Sequence, residues 1–544
     1  DWETSMLLCH NTMFDGFILS ERFGIFPKAY ADTMCMARAI YGPHHKASLA
    51  ALAERYKVGV KGDEVLNALG KRRLDFTGEE ISKYGDYCVN DVDLTHEIFT
   101  IMLNRGFPKS EIKLIDLTLR MFVRPLLELN LPMLEQHLYE IQQKKEAALA
   151  KAGADREDLA SNPKFAELLR SYGVEPPMKI SKVTGKETYA LAKNDEEFKA
   201  LAEHPMIEVQ ALHAGRLSEK STLEEKRTER FMAIAKRGPM PVPLKYYAAH
   251  TGRWGGSDKI NLQNLPSRGD DAGKLKNSIE APEGYVIIDS DSSQIEARVL
   301  AWLAGQDDLV EAFAEGRDVY KIMASAIYNK PVEEVTSGER FVGKTTILGA
   351  GYGMGAIRFR EQLKSFGVEV SEDEARDIIR VYRETYPQIV LLWAEAQLML
   401  RSIVQGNPAV LGREGVLTVL HNDRAIRLPN GLLLKYEKLQ VEKENNKERF
   451  KYLARTWIDI YGGKVIENVC QALARCIIGE QMIKISKRYD VVLTVHDAVA
   501  CIVPENEAEE AQAFVEECMR WTPEWATGMP VNCESGYGRS YGDC

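Results

Sequence analysis

At 544 residues and 45% hydrophobic content, the chain is long enough for about three or four cored domains, which excludes a small disulfide-stapled fold. Its formal net charge of −10 gives no general attraction to nucleic acid, so any such role has to rest on local basic patches. The nine cysteines form no CxxC pair and no metal-ligand spacing, no apolar run reaches transmembrane length, and the opening DWETSMLLCHN lacks a signal peptide's basic flank and apolar core. The expectation is a cytoplasmic protein with reduced thiols, no zinc and no membrane association.

From Leu7 to Thr100 short apolar strands alternate with helical stretches such as KASLAALAERY and TGEEISKYGDYCVNDVDLTHEIF, an α/β pattern that ends near Arg105-Gly106. From Glu111 the texture turns to long helical runs rich in Leu, Glu and Lys, including EIKLIDLTLRMFVRPLLEL and PMLEQHLYEIQQKKEAALAKAG. A mixed-charge segment from Arg216 to Phe231 leads into TGRWGG and NLQNLPSRGD, which read as loops and short strands. Gln306 to Arg401 is again helical. Beyond Gly431, GLLLKYEKLQV and VVLTVHDAVACIV read as strands around the helix ENVCQALARCIIGEQMIKISKRY. The sequence carries no internal repeat and no low-complexity tract.

Three stretches carry chemistry. In VIIDSDSSQIEARVLAWLAG, a β-branched run delivers Asp289 and Asp291 to one face of a strand, and a buried carboxylate needs a cation or solvent to meet it. In VVLTVHDAVACIV two apolar runs flank His496-Asp497, the pattern of a tight hairpin with an imidazole and a carboxylate at its tip. Two such carboxylates in one sheet can hold two Mg²⁺ ions that clamp the attacking and leaving oxygens of a phosphoryl transfer. The third stretch, GERFVGKTTILGAGYGMG, matches the P-loop pattern of an ATPase from Gly338 through Lys344 to Thr345. Its context differs. The preceding residues are polar rather than strand-like, and Thr336 with Glu339 forms a capping box that places Lys344 inside a helix. On that helix Arg340, Lys344, Leu348 and Tyr352 recur every four residues, a face that is cationic at one end and apolar at the other, as a nucleoside triphosphate requires.

SQIEAR after Asp291, the Arg340–Lys344–Tyr352-Gly353 helix and the VHD turn resemble, in order and spacing, motifs A, B and C of the A family of DNA polymerases. TGRWGG, NLQNLP, ENVCQALAR and the terminal YGDC resemble that family's connecting signatures in their phage form, so the resemblance covers nearly the whole chain. It implies α/β and α+β architecture, an RNase H-like exonuclease domain followed by a right-hand polymerase. The divisions are an N-terminally incomplete exonuclease-like domain at 1–105, a helical thumb at 106–250, a first palm part at 251–304, fingers at 305–400 and a second palm part at 401–544.

Carried over position by position, the resemblance makes Asp291 and Asp497 the ligands of two Mg²⁺ ions, for which Mn²⁺ can substitute, and leaves Asp289 as a turn or cap carboxylate. Arg340 and Lys344 grip the incoming deoxynucleoside triphosphate. Gln294, Leu348, Tyr352 and Glu296 line its pocket, Tyr352 and Glu296 walling the sugar against a 2′-hydroxyl. Glu296 has a second, local reading as the partner of Ser293 in a capping box. Arg253, Gln471, His496 and Asn264 face primer–template DNA, whose minor-groove acceptors are nearly sequence-independent. A processivity factor is left open.

In the first domain, Asn11 and Asp15 of HNTMFD and Tyr87 and Asp91 of YCVND resemble the second and third motifs of the family's 3′-5′ exonuclease. There Asp15 and Asp91 would hold metal and Tyr87 would orient the attacking water. The first motif is expected well upstream of Asn11, whereas Asp1-x-Glu3 lies too close, so the chain reads as starting inside that domain, with impaired proofreading. The family's pattern is broken at Ala498, where Glu is usual, at Cys476, where Asp is common, and at Leu348, where an aromatic is common. Two other readings compete: an ATPase built on GERFVGKT, and a degenerate polymerase kept for DNA contacts alone.

Overall fold

The computed structural model describes residues 1–64, 68–181, 184–265, 273–444 and 447–544. The end of the NLQNLPSRGD loop, Pro266 to Asp270, therefore lies outside the described residues. At the N-terminus β1 (Met6–Cys9) pairs in parallel with β2 (Ala29–Asp32), and α1 (Thr12–Phe23) supplies the crossover that parallel strands need. Helix α2 (Gly78–Asn104) starts on a capping box of Thr77 and Glu80 and buries Leu94, Ile98 and Met102. Helix α3 (Lys109–Val123) packs against α1, β2 and the palm sheet. It ends ahead of Pro125, so EIKLIDLTLRMFVRPLLEL is not one continuous helix: proline disfavours a helical conformation at the residue before it, and Glu128-Leu129 becomes a short strand.

Helix α4 (Leu131–Ala152) opens on the Asn130 side chain, which accepts from the Met133 N–H, and α5 (Ile207–Lys220) and α6 (Leu223–Ala235) pack along it. Leu159, Phe165, Phe198 and Leu212 form a small core of their own beside these helices.

The palm sheet is assembled from distant segments. Strand β3 (Tyr285–Ser292) is followed by α7 (Ile295–Ala304), α8 (Val319–Tyr328), α9 (Ser337–Ala350) and α10 (Pro387–Gln405). Then come α11 (Gly462–Ile485), β4 (Asp490–Val495), β5 (Ala498–Pro504), α12 (Ala508–Arg520) and β6 (Cys533–Gly538). The strands lie in the order β4-β5-β3-β6, antiparallel throughout, with α11 and α12 packed against them. One hydrophobic core joins Tyr30, Ile98 and Ile115 to Ile287 and Val499, so the first domain and the palm are buried against each other. A second core, with Trp302, Met323, Ile347, Tyr382 and Ile466, holds the helices α7 to α11.

The helix α9 settles the GERFVGKT question. Residues Ser337 to Ala350 are helical, Thr336 and Glu339 close the expected capping box, and the chain before it has a helical turn rather than a strand. The glycine of the pattern has a packing reason: a Cβ on Gly343 would stand 2.2 Å from the Tyr320 carbonyl oxygen of α8. This glycine lets two helices touch and cradles no phosphate.

Candidate active site

The hairpin β4–β5 closes with the minimum two residues: Val495 pairs with Ala498, and His496, in a left-handed conformation at φ 53°, carries the chain round to Asp497. Asp291 sits opposite Ala498 on one neighbour and opposite Glu534 on the other. Ile287, Asp289 and Asp291 share a face of β3 that runs from full burial at Ile287 to solvent at Asp291. Burial raises the Asp291 carboxyl above its usual range, and the charges of Asp497 and Glu534 raise it further. Asp289, deeper on the strand, is pushed to about 6 by burial and then by Asp291. This is a site of crowded negative charge in want of cations.

One cation is built in. The Arg253 Nη2 donates to Glu296 Oε1 at 2.5 Å and to both Asp497 oxygens at 2.9 and 3.1 Å. Burial opposes the Arg253 charge, but Asp497 and Glu296 outweigh it and hold the guanidinium's pKa above its usual value. Its loop is anchored from below, where Arg475 of α11, fully buried, donates to the Gly252 carbonyl at 3.1 Å and forks onto Glu111 of α3 at 2.5 and 2.7 Å. The Tyr246 hydroxyl and the Asn430 amide also donate to Glu111, so no charge there is left uncompensated.

The capping box expected of Ser293 and Glu296 does not form. Gln294 caps α7 in a left-handed conformation without a side-chain bond to the helix's backbone N–H groups, and Glu296 turns to Arg253 on one oxygen and to the Tyr352 hydroxyl, 3.5 Å away, on the other. Tyr352 is also not on the α9 face as the four-residue spacing suggested. The helix ends at Ala350, and Tyr352 lies in the following turn, held by the Trp393 indole donating to Gly351 O at 2.9 Å and by close approach of Gly463, where a Cβ would stand 2.3 Å from the Tyr352 carbonyl oxygen. The pairing of Tyr352 with Glu296 survives because the turn aims the ring back at α7.

On α9, Arg340 Nε donates to Asp318 at 2.6 Å, and Arg340 and Lys344 lie 5.3 and 5.8 Å from the centre of the Tyr320 ring. At the strand-helix junction after Asp291, the Gln294 side-chain carbonyl accepts from Arg298 at 3.3 Å. Leu348 is 44% exposed, which rules out a core role for it. Gln471 is half-buried on α11, four residues from Arg475. Asn264 is exposed in a short turn, its carbonyl accepting from Arg227 at 2.9 Å.

In the first domain, Asn11 caps α1 in a left-handed conformation, and Asp32 at the end of β2 accepts from the Asn11 and Thr12 N–H groups at 3.2 and 2.9 Å. Asp15 groups with Asp32 and with the Cys9 thiol, which burial, then the charges of Asp15 and Asp32, push up to about 12. Asp91 instead bonds Lys61 at 2.6 Å, and the same ammonium donates to the Tyr87 hydroxyl. Asp32, Lys61, Asp318, Tyr320, Glu534 and the Glu111–Arg475 pair were not foreseen. Only Glu534 left a signal, an acidic residue in a short strand-like run near the C-terminus.

Among the described residues, no three His, Cys, Asp or Glu side chains converge as a preformed metal site would. The donor set at Asp291 and Asp497 nevertheless fits a hard divalent ion: it offers carboxylate oxygens from β3 and from the turn that leads into the adjoining β5, and a guanidinium is already drawn to one of them.

The family model of DNA polymerase family A matches residues 130–543, and that of the 3′-5′ exonuclease matches residues 3–106. The chain belongs to DNA polymerase family A. A DNA polymerase of Bacillus phage SP02 is 28% identical over 337 residues, 54% of this chain and 51% of its own. DNA polymerase I of Synechocystis is 24% identical over 527 residues, 94% of this chain and 50% of its own. The chain thus spans about half the length of these curated relatives. The solved POL domain of Pol1 from M. smegmatis, in complex with DNA primer-template and dNTP, superposes with a TM-score of 0.69 at 22% identity, covering 99% of this chain and 86% of that one. That likeness bears on the fold of this family A chain. No helix among the described residues is long and apolar enough to cross a membrane.

Proposed function

We propose that this family A chain extends a DNA primer along a template by phosphoryl transfer from deoxynucleoside triphosphates, with Asp291 and Asp497 holding two Mg²⁺ ions. The observation that carries this reading is the register of the palm sheet, which sets Asp291 beside the Asp497 turn with the Glu296–Tyr352 pair next to it. When bound, the divalent ions would stabilise charge on the attacking and leaving oxygens. Arg340 and Lys344, displayed on one α9 face around Tyr320, grip the triphosphate. Glu296 and Tyr352 close the pocket where a ribose 2′-hydroxyl would lie. Arg253, Gln471, His496 and Asn264 contact the primer–template.

The 3′-5′ exonuclease-like domain is impaired in this reading, because the Lys61 ammonium sits on Asp91 and Tyr87 where the chemistry needs a divalent ion and a water. Mg²⁺-dependent extension of a primer by all four deoxynucleotides, dictated by the template, is the expected result. Duplex binding without extension in Mg²⁺ or Mn²⁺ would leave a DNA-contact module instead.

A further inference from the structure

The guanidinium of Arg253 occupies the oxygens that a metal ion would need. Its Nη2 contacts Oδ1 and Oδ2 of Asp497 together, at 2.9 and 3.1 Å, and a divalent ion approaching either oxygen meets the positive charge first. The same nitrogen is bonded to Glu296, so three carboxylate oxygens share one N–H₂ group. Meanwhile the Arg253 Nε is buried without a hydrogen-bond partner. A buried donor left unpaired is costly, so this pose leaves part of the side chain's bonding unmet and another partner can improve on it. The backbone does not have to move for that exchange, because Arg475 pins Gly252 from below. The Arg253 carbonyl is held too, accepting from the Ala248 and Ala249 N–H groups, so a change of partner falls to the side chain.

We propose that Arg253 is a displaceable stand-in for the metal. In the free enzyme it neutralises Asp497, and arrival of the primer–template draws the guanidinium onto DNA acceptors and hands Asp497 over to a divalent cation. DNA binding and metal loading are thereby coupled, each favouring the other, and the Asp497 carboxylate is never left uncompensated. Glu296 changes partner in the same event, which ties closure of the sugar pocket to DNA arrival. This inference rests on the polymerase reading above and adds to it an order of assembly.

The test reads metal binding rather than synthesis, with Mn²⁺ as the probe, its free concentration followed by electron paramagnetic resonance. In the DNA-free chain, Arg253→Met keeps the length and removes the charge. It should bind Mn²⁺ at least about tenfold more tightly than wild type, within the usual range of coupling between sites. Adding Asp497→Asn should abolish that gain. In the unaltered protein, primer–template should raise Mn²⁺ affinity by a comparable factor, once the binding to DNA itself is subtracted with the Asp497→Asn complex. In Arg253→Met the DNA should add little. Unchanged Mn²⁺ affinity in DNA-free Arg253→Met, or a gain that survives Asp497→Asn, overturns the proposal. Should Arg253→Met fail to fold by circular dichroism, the wild-type arm decides alone: no rise in affinity with DNA overturns it. Failure of the polymerase reading has a different signature, the absence of Mg²⁺-dependent primer extension by the wild type.

Discussion

Asp291 and Asp497 were legible as residues because strand periodicity and the tight hairpin are local patterns; their approach to one another depends on a register between β3 and β5 that no local pattern encodes. On the proposed mechanism, Asp291→Ala or Asp497→Ala should each lower kcat/KM by roughly a thousandfold or more, ~4 kcal/mol, while duplex affinity holds. Steady-state extension with a parallel binding measurement checks this, and near-normal extension by either variant removes them from the mechanism. Asp289 has a different task. Its carboxyl is held near 6, above the ordinary unfolded value, so the folded state favours its protonated form. That environment costs stability at pH above 6 and the cost fades as the pH falls toward 4. Asp289→Asn should therefore gain stability over wild type at pH 8 and show no such gain at pH 4, as thermal melts at the two pH values would reveal. Leu348 lies one helical turn from Lys344, exposed on that face, and brings no hydrogen bond to a sugar. The expectation is discrimination against nucleotides lacking a 3′-hydroxyl, by the ~1–3 kcal/mol of an unpaired polar group, relaxed in Leu348→Tyr. Equal dideoxy-to-deoxy incorporation ratios in the two proteins would show that this side chain does not face the sugar.

Elements were legible where their ends are written locally. The box at Thr336 starts α9 as expected, an equally local one at Thr77 starts α2, and a helix beginning at Ser337 excludes the P-loop that the letters spell. Where an end depends on tertiary partners, the sequence misled. Glu296 forms no box with Ser293 because Arg253 and Tyr352 compete for its oxygens, and α9 stops short of Tyr352 where α10 and α11 take hold of the turn. The Glu111–Arg475 pair is illegible for the same reason: its partners are far apart in sequence, and each alone reads as an ordinary surface charge on a helix. Glu111→Ala leaves Arg475 buried and uncompensated and should cost about 3–5 kcal/mol, lowering the first thermal transition. The double variant Glu111→Leu/Arg475→Met should recover part of that stability, since a buried ion pair gains little over well-packed apolar groups while the Tyr246 hydroxyl and Asn430 amide still lose their acceptor. It should still extend primers poorly, because Gly252 has lost the donor that positions Arg253. A double variant with full activity would mean that the TGR loop keeps its place without Arg475.

At the scale of the whole molecule, the first domain and the palm share one hydrophobic core yet treat their acidic residues differently. In the palm, Asp497 is paired with an arginine whose Nε has no partner and which, on the proposed order of assembly, moves to DNA acceptors. In the first domain, Asp91 is paired with Lys61, which also holds Tyr87 by a hydrogen bond and lies 4.3 Å from the centre of that ring. Both of these partners of Lys61 belong to the same α2 turn, so the ammonium is locked to one element at two points. Asp15 lies with Cys9 and Asp32, and Asp1 and Glu3 stand exposed, the Glu3 N–H donating to the Asp1 carboxylate at 3.1 Å. A divalent ion would have to evict Lys61 from a half-buried pair, and among the described residues no three acidic, His or Cys side chains converge to hold it there. The chain should therefore remove a mismatched 3′ nucleotide in Mg²⁺ far more slowly than it adds a matched one, and Asp91→Asn should change neither rate. An end-labelled mismatched primer, incubated without nucleotides, reads the first rate directly. Brisk Mg²⁺-dependent shortening that Asp91→Asn abolishes would show that Lys61 gives way, and that the first domain edits after all.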